Sequence, residues 1–296
     1  MRPSTLQLSQ IGNIPAIEVN NDFAQAVILL QGAQVIHYQP HGQAALLWQN
    51  PQAEFVRGQA VRTGIPICWP WFGDLSRNPT PVQACFENEQ ASAHGYARTQ
   101  LWSIHDWVSN TDGTIINFQL GQHSNQLPSL RAELSIHIGQ SLSLSLTTTN
   151  KAPSAITFSQ AFHSYFPTEN INKTQINGLD GCDYLDAADA WQEKKQSGPV
   201  LFQAETDRIY LNSPNKLSIN TTMDNKVQPN NINIQTSGSA STVIWNPWQD
   251  KAKRLSQFNE QAYKNMFCVE TANANSDAIT LHSEQSHLLK VKMKYL

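Results

Sequence analysis

The sequence predicts an all-β protein, a large antiparallel β-sandwich with few short helices. Three observations predict it. In the clearest segments apolar residues fall on alternate positions, the period of a strand with one buried face. Helical spacing is scarce, so no helices alternate with strands as parallel crossovers would require. Turn-forming Asn, Pro and Gly are spread evenly, with no linker, repeat or low-complexity tract, so residues 1–296 read as one domain.

Taken in order, strands are expected at Ala26–Leu30 and Thr114–Leu120. A hairpin follows, with Leu134, Ile136 and Ile138 alternating before Gly139-Gln140 and Leu142, Leu144 and Leu146 alternating after it. Further strands are expected at Ala155–Phe158, Asn231–Gln235 and Thr242–Trp245. At the C-terminus Leu289, Val291, Met293 and Tyr295 alternate with Lys290, Lys292 and Lys294, lysines that would also blunt a sheet edge. Helical turns are expected only at Asn259–Asn265 and Ala187–Lys194.

Composition narrows the function. Hydrophobic residues make up 40% and charged residues 15%, with a net charge of -3. There is no bulk basic field for nucleic acid, so an anionic small ligand would need local arginines. No segment approaches the roughly 20 apolar residues of a membrane helix, and Met1–Asn20 lacks the pattern of a secretory leader. Cys68, Cys85, Cys182 and Cys268 are scattered without CxxC spacing and read as reduced thiols of a cytoplasmic protein. A monomer is expected.

Five stretches carry the chemistry. Arg62-Thr-Gly-Ile-Pro66-Ile-Cys-Trp69-Pro70-Trp71-Phe-Gly73 sets an arginine beside two tryptophans in a proline-shaped loop. Its indoles suit either the apolar face of a pyranose or the core. His94-Gly-Tyr-Ala-Arg98 places an imidazole and a guanidinium four residues apart, groups that bond hydroxyl and phosphate. His163, in Phe162-His-Ser-Tyr-Phe166, is either a satisfied core histidine or a proton donor. Asp207 stands just before a strand, either as a turn residue or in a surface pair with Arg208. Glu270 ends the apolar run Phe267-Cys-Val269, where a carboxylate is costly to bury unless it is paired or its pKa rises. Trp245 and Trp248, upstream, suit a neighbouring wall. The other seven histidines read as surface or fold residues, and with no H-x-H or HExxH spacing neither metal nor cofactor is expected.

Read together, RTGIPICWPWFG, AHGYAR, FHSYF, TDRIY, VIWNPW and YKNMFCVE, in this order, resemble the hexose-6-phosphate mutarotase branch of the aldose 1-epimerase superfamily. The resemblance runs from about Ala26 to the last strand. It implies a galactose-mutarotase-like sandwich with the sugar in a cleft on the concave sheet. It further implies His163 as general acid, Glu270 as general base, and Asp207 and His94 as contacts to sugar hydroxyl and ring oxygen. Arg62 and Arg98 are implied as ligands of the 6-phosphate. Ala93 departs from the pattern, standing where several relatives carry Gln. Two other readings share the sandwich. A non-catalytic carbohydrate-binding protein would not need a paired acid and base, whereas a glycoside hydrolase would use two carboxylates, nominally Asp207 and Glu270.

Overall fold

The computed structural model describes residues 5–86, 92–121, 130–221 and 230–296. Among the described residues there are twenty-three strands, two short α-helices and six 3-10 turns. Strands Thr5–Ile11, Ile14–Asn20, Ala24–Leu29 and Gln34–Pro40 form a four-stranded antiparallel meander. The two large sheets have nine and eight strands, and every named strand pair in them is antiparallel.

The expected hairpin is Leu130–Ile138 with Leu142–Asn150, turning through residues 139–141. Its alternating leucines and isoleucines are buried in the main core, together with Ile244, Phe267 and Val269 from the eight-stranded sheet. One apolar layer is therefore shared by the two large sheets, the arrangement of a sandwich. The C-terminal strand Ser286–Tyr295 buries Leu289, Val291 and Met293 and exposes its three lysines. It is not an edge, however: it lies between Asn230–Ser237 and Leu142–Asn150, so its lysines solvate the outer face of a central strand.

The helix expectations fare worse. Ala187–Lys194 is a 3-10 turn, Ala187–Asp189, leading into strand Gln192–Lys195, because the segment closes a hairpin with Asp183–Asp186. Asn259–Asn265 keeps only the 3-10 turn Ala262–Lys264. The two α-helices lie elsewhere, at Thr80–Phe86 and Trp248–Ala252, each too short to show a helical period in sequence. Among the described residues no helix is long and apolar enough to cross a membrane.

Alternation in the eight-stranded sheet builds the site. Tyr210, Ile244, Phe267 and Val269 face the inter-sheet core. Their neighbours Asp207 and Ile209, Val243 and Trp245, and Glu270 face the other way, into a cleft. The register sets Asp207 beside Trp245 and Trp245 beside Cys268, and likewise Ile209 beside Val243 and Val243 beside Glu270.

Candidate active site

His163 and Glu270 meet because of sheet register. Gln160–Phe162 and Tyr165–Pro167 both pair with Met266–Asn273, Phe162 opposite Thr271 and Tyr165 opposite Cys268. Carrying that register through the gap puts His163 opposite Glu270, and neighbours across a pair lie about 5 Å apart. The side chains close to 3.4 Å between His163 Nε2 and Glu270 Oε1. The strand breaks at this point. The His163 N–H donates to Pro66 O (3.0 Å) and the Val269 N–H to Ser164 O (3.2 Å), so the backbone stays satisfied while the imidazole turns into the cleft.

Both groups are buried, Glu270 at 1% exposure and His163 at 8%. The imidazole stacks on Tyr165, with ring centroids 4.8 Å apart, and meets Trp245 edge-on. Burial, helped by the charge of Asp207, raises the Glu270 carboxyl well above its ordinary range. Burial and the positive charges of Arg98 and Arg62 lower His163 to about 3. Each group is thus driven toward its neutral form, with the two side chains 3.4 Å apart. Glu270 Oε2 and His163 Nδ1 are buried without a hydrogen-bond partner among the described residues, so both retain capacity for a ligand.

His94 approaches from a loop. Its backbone N–H donates to Gly73 O (2.7 Å), and the Gly73 N–H donates back to His94 Nδ1 (3.2 Å). Burial, together with Arg98, His163 and Arg62, holds His94 well below the usual imidazole range. It is therefore neutral, with Nδ1 as acceptor and Nε2 as donor. The loop needs Gly95, at φ +66°, because a Cβ there would lie 2.1 Å from Trp69 O.

Asp207 is half-buried in strand Thr206–Leu211. Burial raises its pKa against the opposing pull of Lys251, whose Nζ bonds Asp207 Oδ2 (2.9 Å) and Glu205 Oε1 (3.0 Å). Arg62 is held by its backbone neighbours: the Gln34 Nε2 amide donates to Val61 O (3.1 Å) and Thr63 O (2.7 Å), on either side of it.

These groups line one cleft of about 270 Å³, the size for a single small ligand. It brings together His163, Glu270, His94, Asp207 and Arg62. Arg98 is not in its wall; its Nη2 donates to Ala93 O (2.6 Å), and its charge reaches His94 and His163 from behind. Trp69 and Trp71 are core residues, bonded through Nε1 to Thr148 Oγ1 (3.0 Å) and Ser92 O (3.1 Å), and they do not wall the cleft. The aromatic wall comes from Phe72, Trp191 and Trp245, of which only Trp245 was expected. Arg77, Lys251 and Asn275 also line it unforeseen. A tryptophan inside the polar run Asp189-Ala-Trp191-Gln-Glu193 was the one available signal for Trp191.

The atoms of His163, Cys268 and Glu270 also lie within 4.8 Å of one another, close enough to hold a metal ion. Burial and Glu270 push the Cys268 thiol well above its ordinary range, which disfavours the thiolate a metal would need. The donor set fits a proton-exchanging pair better than a metal centre.

The aldose 1-epimerase family profile matches residues 15–294. A protein of Cenchrus ciliaris named "Putative glucose-6-phosphate 1-epimerase" is 31% identical over 83% of this chain and 74% of its own length. One of the same name from Escherichia coli K12 is 26% identical over 96% and 91%. The fold of a mutarotase-titled structure from Salmonella typhimurium superposes with a TM-score of 0.86 at 24% identity, covering 98% of this chain and 93% of that one. Galactose 1-epimerase from Lactobacillus acidophilus superposes at 0.70 and 11% identity, covering 99% and 98%. With the profile matched almost end to end and the sandwich shared with these proteins, the chain belongs to the aldose 1-epimerase family, a family of isomerases.

Proposed function

We propose that the chain interconverts the α and β anomers of a hexose 6-phosphate, D-glucose 6-phosphate first among them, by ring opening and closure. The observation that carries the reading is the buried His163–Glu270 pair, 3.4 Å apart, in a cleft that also presents Arg62. The name borne by the relatives from Cenchrus ciliaris and Escherichia coli supports the substrate.

Opening needs a proton taken from O1 and one given to the ring oxygen O5. Glu270, as carboxylate, accepts the first while His163, as imidazolium, donates the second, and the C1–O5 bond breaks to the open-chain aldehyde. C1 rotates, and the steps reverse on its other face. The C5 hydroxyl returns its proton to His163 and Glu270 returns its own to O1, so the pair ends as it began. Each positioned acid or base contributes about 10² to 10⁴ in rate. His94 donates from Nε2 toward the ring oxygen side, and Asp207, fixed by Lys251, accepts from a sugar hydroxyl. Arg62 binds the phosphate directly and Arg98 adds its charge from behind. A bound phosphate dianion offsets the two positive charges that depress His163, favouring the protonated imidazole that the reaction needs.

No step draws on a cofactor. The four free cysteines suit a cytoplasmic setting, and a core running from Ile17 to Met293 suits one folded unit, read here as a monomer. The hydrolase reading is less well served, because the relatives matched over most of the chain bear the name of an epimerase. The test is NMR exchange spectroscopy of glucose 6-phosphate anomers: saturable acceleration is expected, and product release by glycoside cleavage would overturn the reading.

A further inference from the structure

The hairpin at one edge of the eight-stranded sheet, Asp183–Asp186 with Gln192–Lys195, ends in a turn that carries Trp191. The indole lines the cleft, yet 37% of the residue stays exposed, unlike the sealed Trp69 and Trp71. The backbone beneath it is unusual. Ala190 and Trp191 take φ of +49° and +64°, two successive non-glycine residues in the left-handed region that a Cβ disfavours.

The turn is tied from several sides. The Trp191 N–H donates to Asp186 O (2.8 Å), and the Ala188 N–H to Asp186 Oδ1 (3.2 Å). Lys194 Nζ bridges Asp186 Oδ2 (2.8 Å) and Asp189 Oδ2 (2.7 Å). Glycine would relax this turn. The chain instead keeps a large, exposed aromatic residue in a strained conformation at the rim of its candidate site, where such outliers mark ligand contacts.

We propose that Trp191 is the surface on which the substrate's pyranose ring stacks, and that this contact selects among hexoses; the proposal rests on the mutarotase reading above. A pyranose presents axial C–H bonds to an aromatic face, and an indole covers them with large apolar area. An axial hydroxyl on the stacked face sets an oxygen against the ring, where it has no hydrogen-bond partner. Stacked on the face that carries H2 and H4, Trp191 meets the axial hydroxyl of the C2 or C4 epimer, and so discriminates glucose 6-phosphate from mannose and galactose 6-phosphates.

The experiment compares wild type, Trp191→Ala and Trp191→Phe on the three hexose 6-phosphates by NMR anomer exchange, with tryptophan emission followed on adding glucose 6-phosphate. Trp191→Ala is expected to raise KM about tenfold with kcat within about threefold, and to shrink the spread of kcat/KM among the epimers. Trp191→Phe should keep most of both, while losing the part of the wild-type emission change that Trp245, in the same wall, does not supply. An active wild type whose KM and epimer spread survive in Trp191→Ala overturns the stacking role and leaves the mutarotase reading standing. So does a kcat that falls as far as KM rises. An inactive wild type whose emission still responds to the sugar phosphate, through Trp191 alone, overturns the mutarotase reading and keeps the contact. Neither turnover nor an emission change overturns both.

Discussion

A carboxylate 1% exposed beside an imidazole 8% exposed is a poor stabilising device, since each group loses its solvation. Glu270 makes the cost visible. Its folded pKa is raised well above 4.5, so below about pH 4.5 both folded and unfolded states hold the proton and there is no penalty. As pH climbs from there toward the folded pKa, the unfolded chain releases its proton first and stability is lost, by about 1.4 kcal/mol per pH unit in that window. Glu270→Gln should therefore melt higher than wild type at pH 7 and lose the advantage at pH 4. Calorimetry at the two pH values checks this. The same variant, and His163→Ala, should lower turnover by roughly two or more orders of magnitude. Near-normal turnover in either folded variant would remove that residue from the mechanism. The arginines separate by substrate. Arg62→Ala should cost kcat/KM about one to two orders of magnitude on glucose 6-phosphate, and far less on neutral glucose, which feels only its charge on the two histidines. Arg98→Ala, acting through charge on the two histidines, should alter both substrates and shift the pH profile. At this scale the sequence was informative where burial cost named a residue, as for Glu270, and misleading where an aromatic had two equal uses, as for Trp69 and Trp71.

Strand register does the positioning. His163 and Glu270 are 107 positions apart in the chain, yet they are neighbours across one strand pair, and Asp207 joins them only through Ser241–Asn246. A strand after Asp207 and an apolar run at Phe267–Val269 were legible; the pairing of these strands was not, because it depends on the whole sheet. Nor was the short helix Trp248–Ala252, whose Lys251 reaches back to Asp207. Lys251→Met should leave Asp207 half-buried beside Glu205 with its main counter-charge gone, raising its pKa further. Steady-state pH profiles should then show the acid limb of kcat/KM moved upward and KM raised, with Lys251→Arg restoring most of both. An unchanged profile would make the Lys251 pairing incidental to Asp207.

At the scale of the molecule, alternation in Leu130–Asn150 and Ser286–Tyr295 predicted a sandwich correctly because strands packed on one face must alternate. What sequence could not supply was which strands are interior, so the terminal lysines looked like edge protection on a strand that has neighbours on both sides. The sandwich places its main apolar layer between the large sheets and leaves the opposite face of the smaller one for chemistry. Since that chemistry is proton exchange alone, exhaustive chelation should leave turnover intact; loss with EDTA and recovery with a divalent ion would assign His163, Cys268 and Glu270 to a metal instead. The central claim is that this face opens and closes a phosphorylated pyranose by proton exchange through His163 and Glu270. Exchange spectroscopy on glucose 6-phosphate, wild type beside Glu270→Gln, tests it most directly. Enzyme-dependent anomer exchange is expected in wild type and should fall at least a hundredfold in the variant; exchange at the buffer rate in wild type, or equal acceleration by both proteins, would contradict proton exchange through this pair.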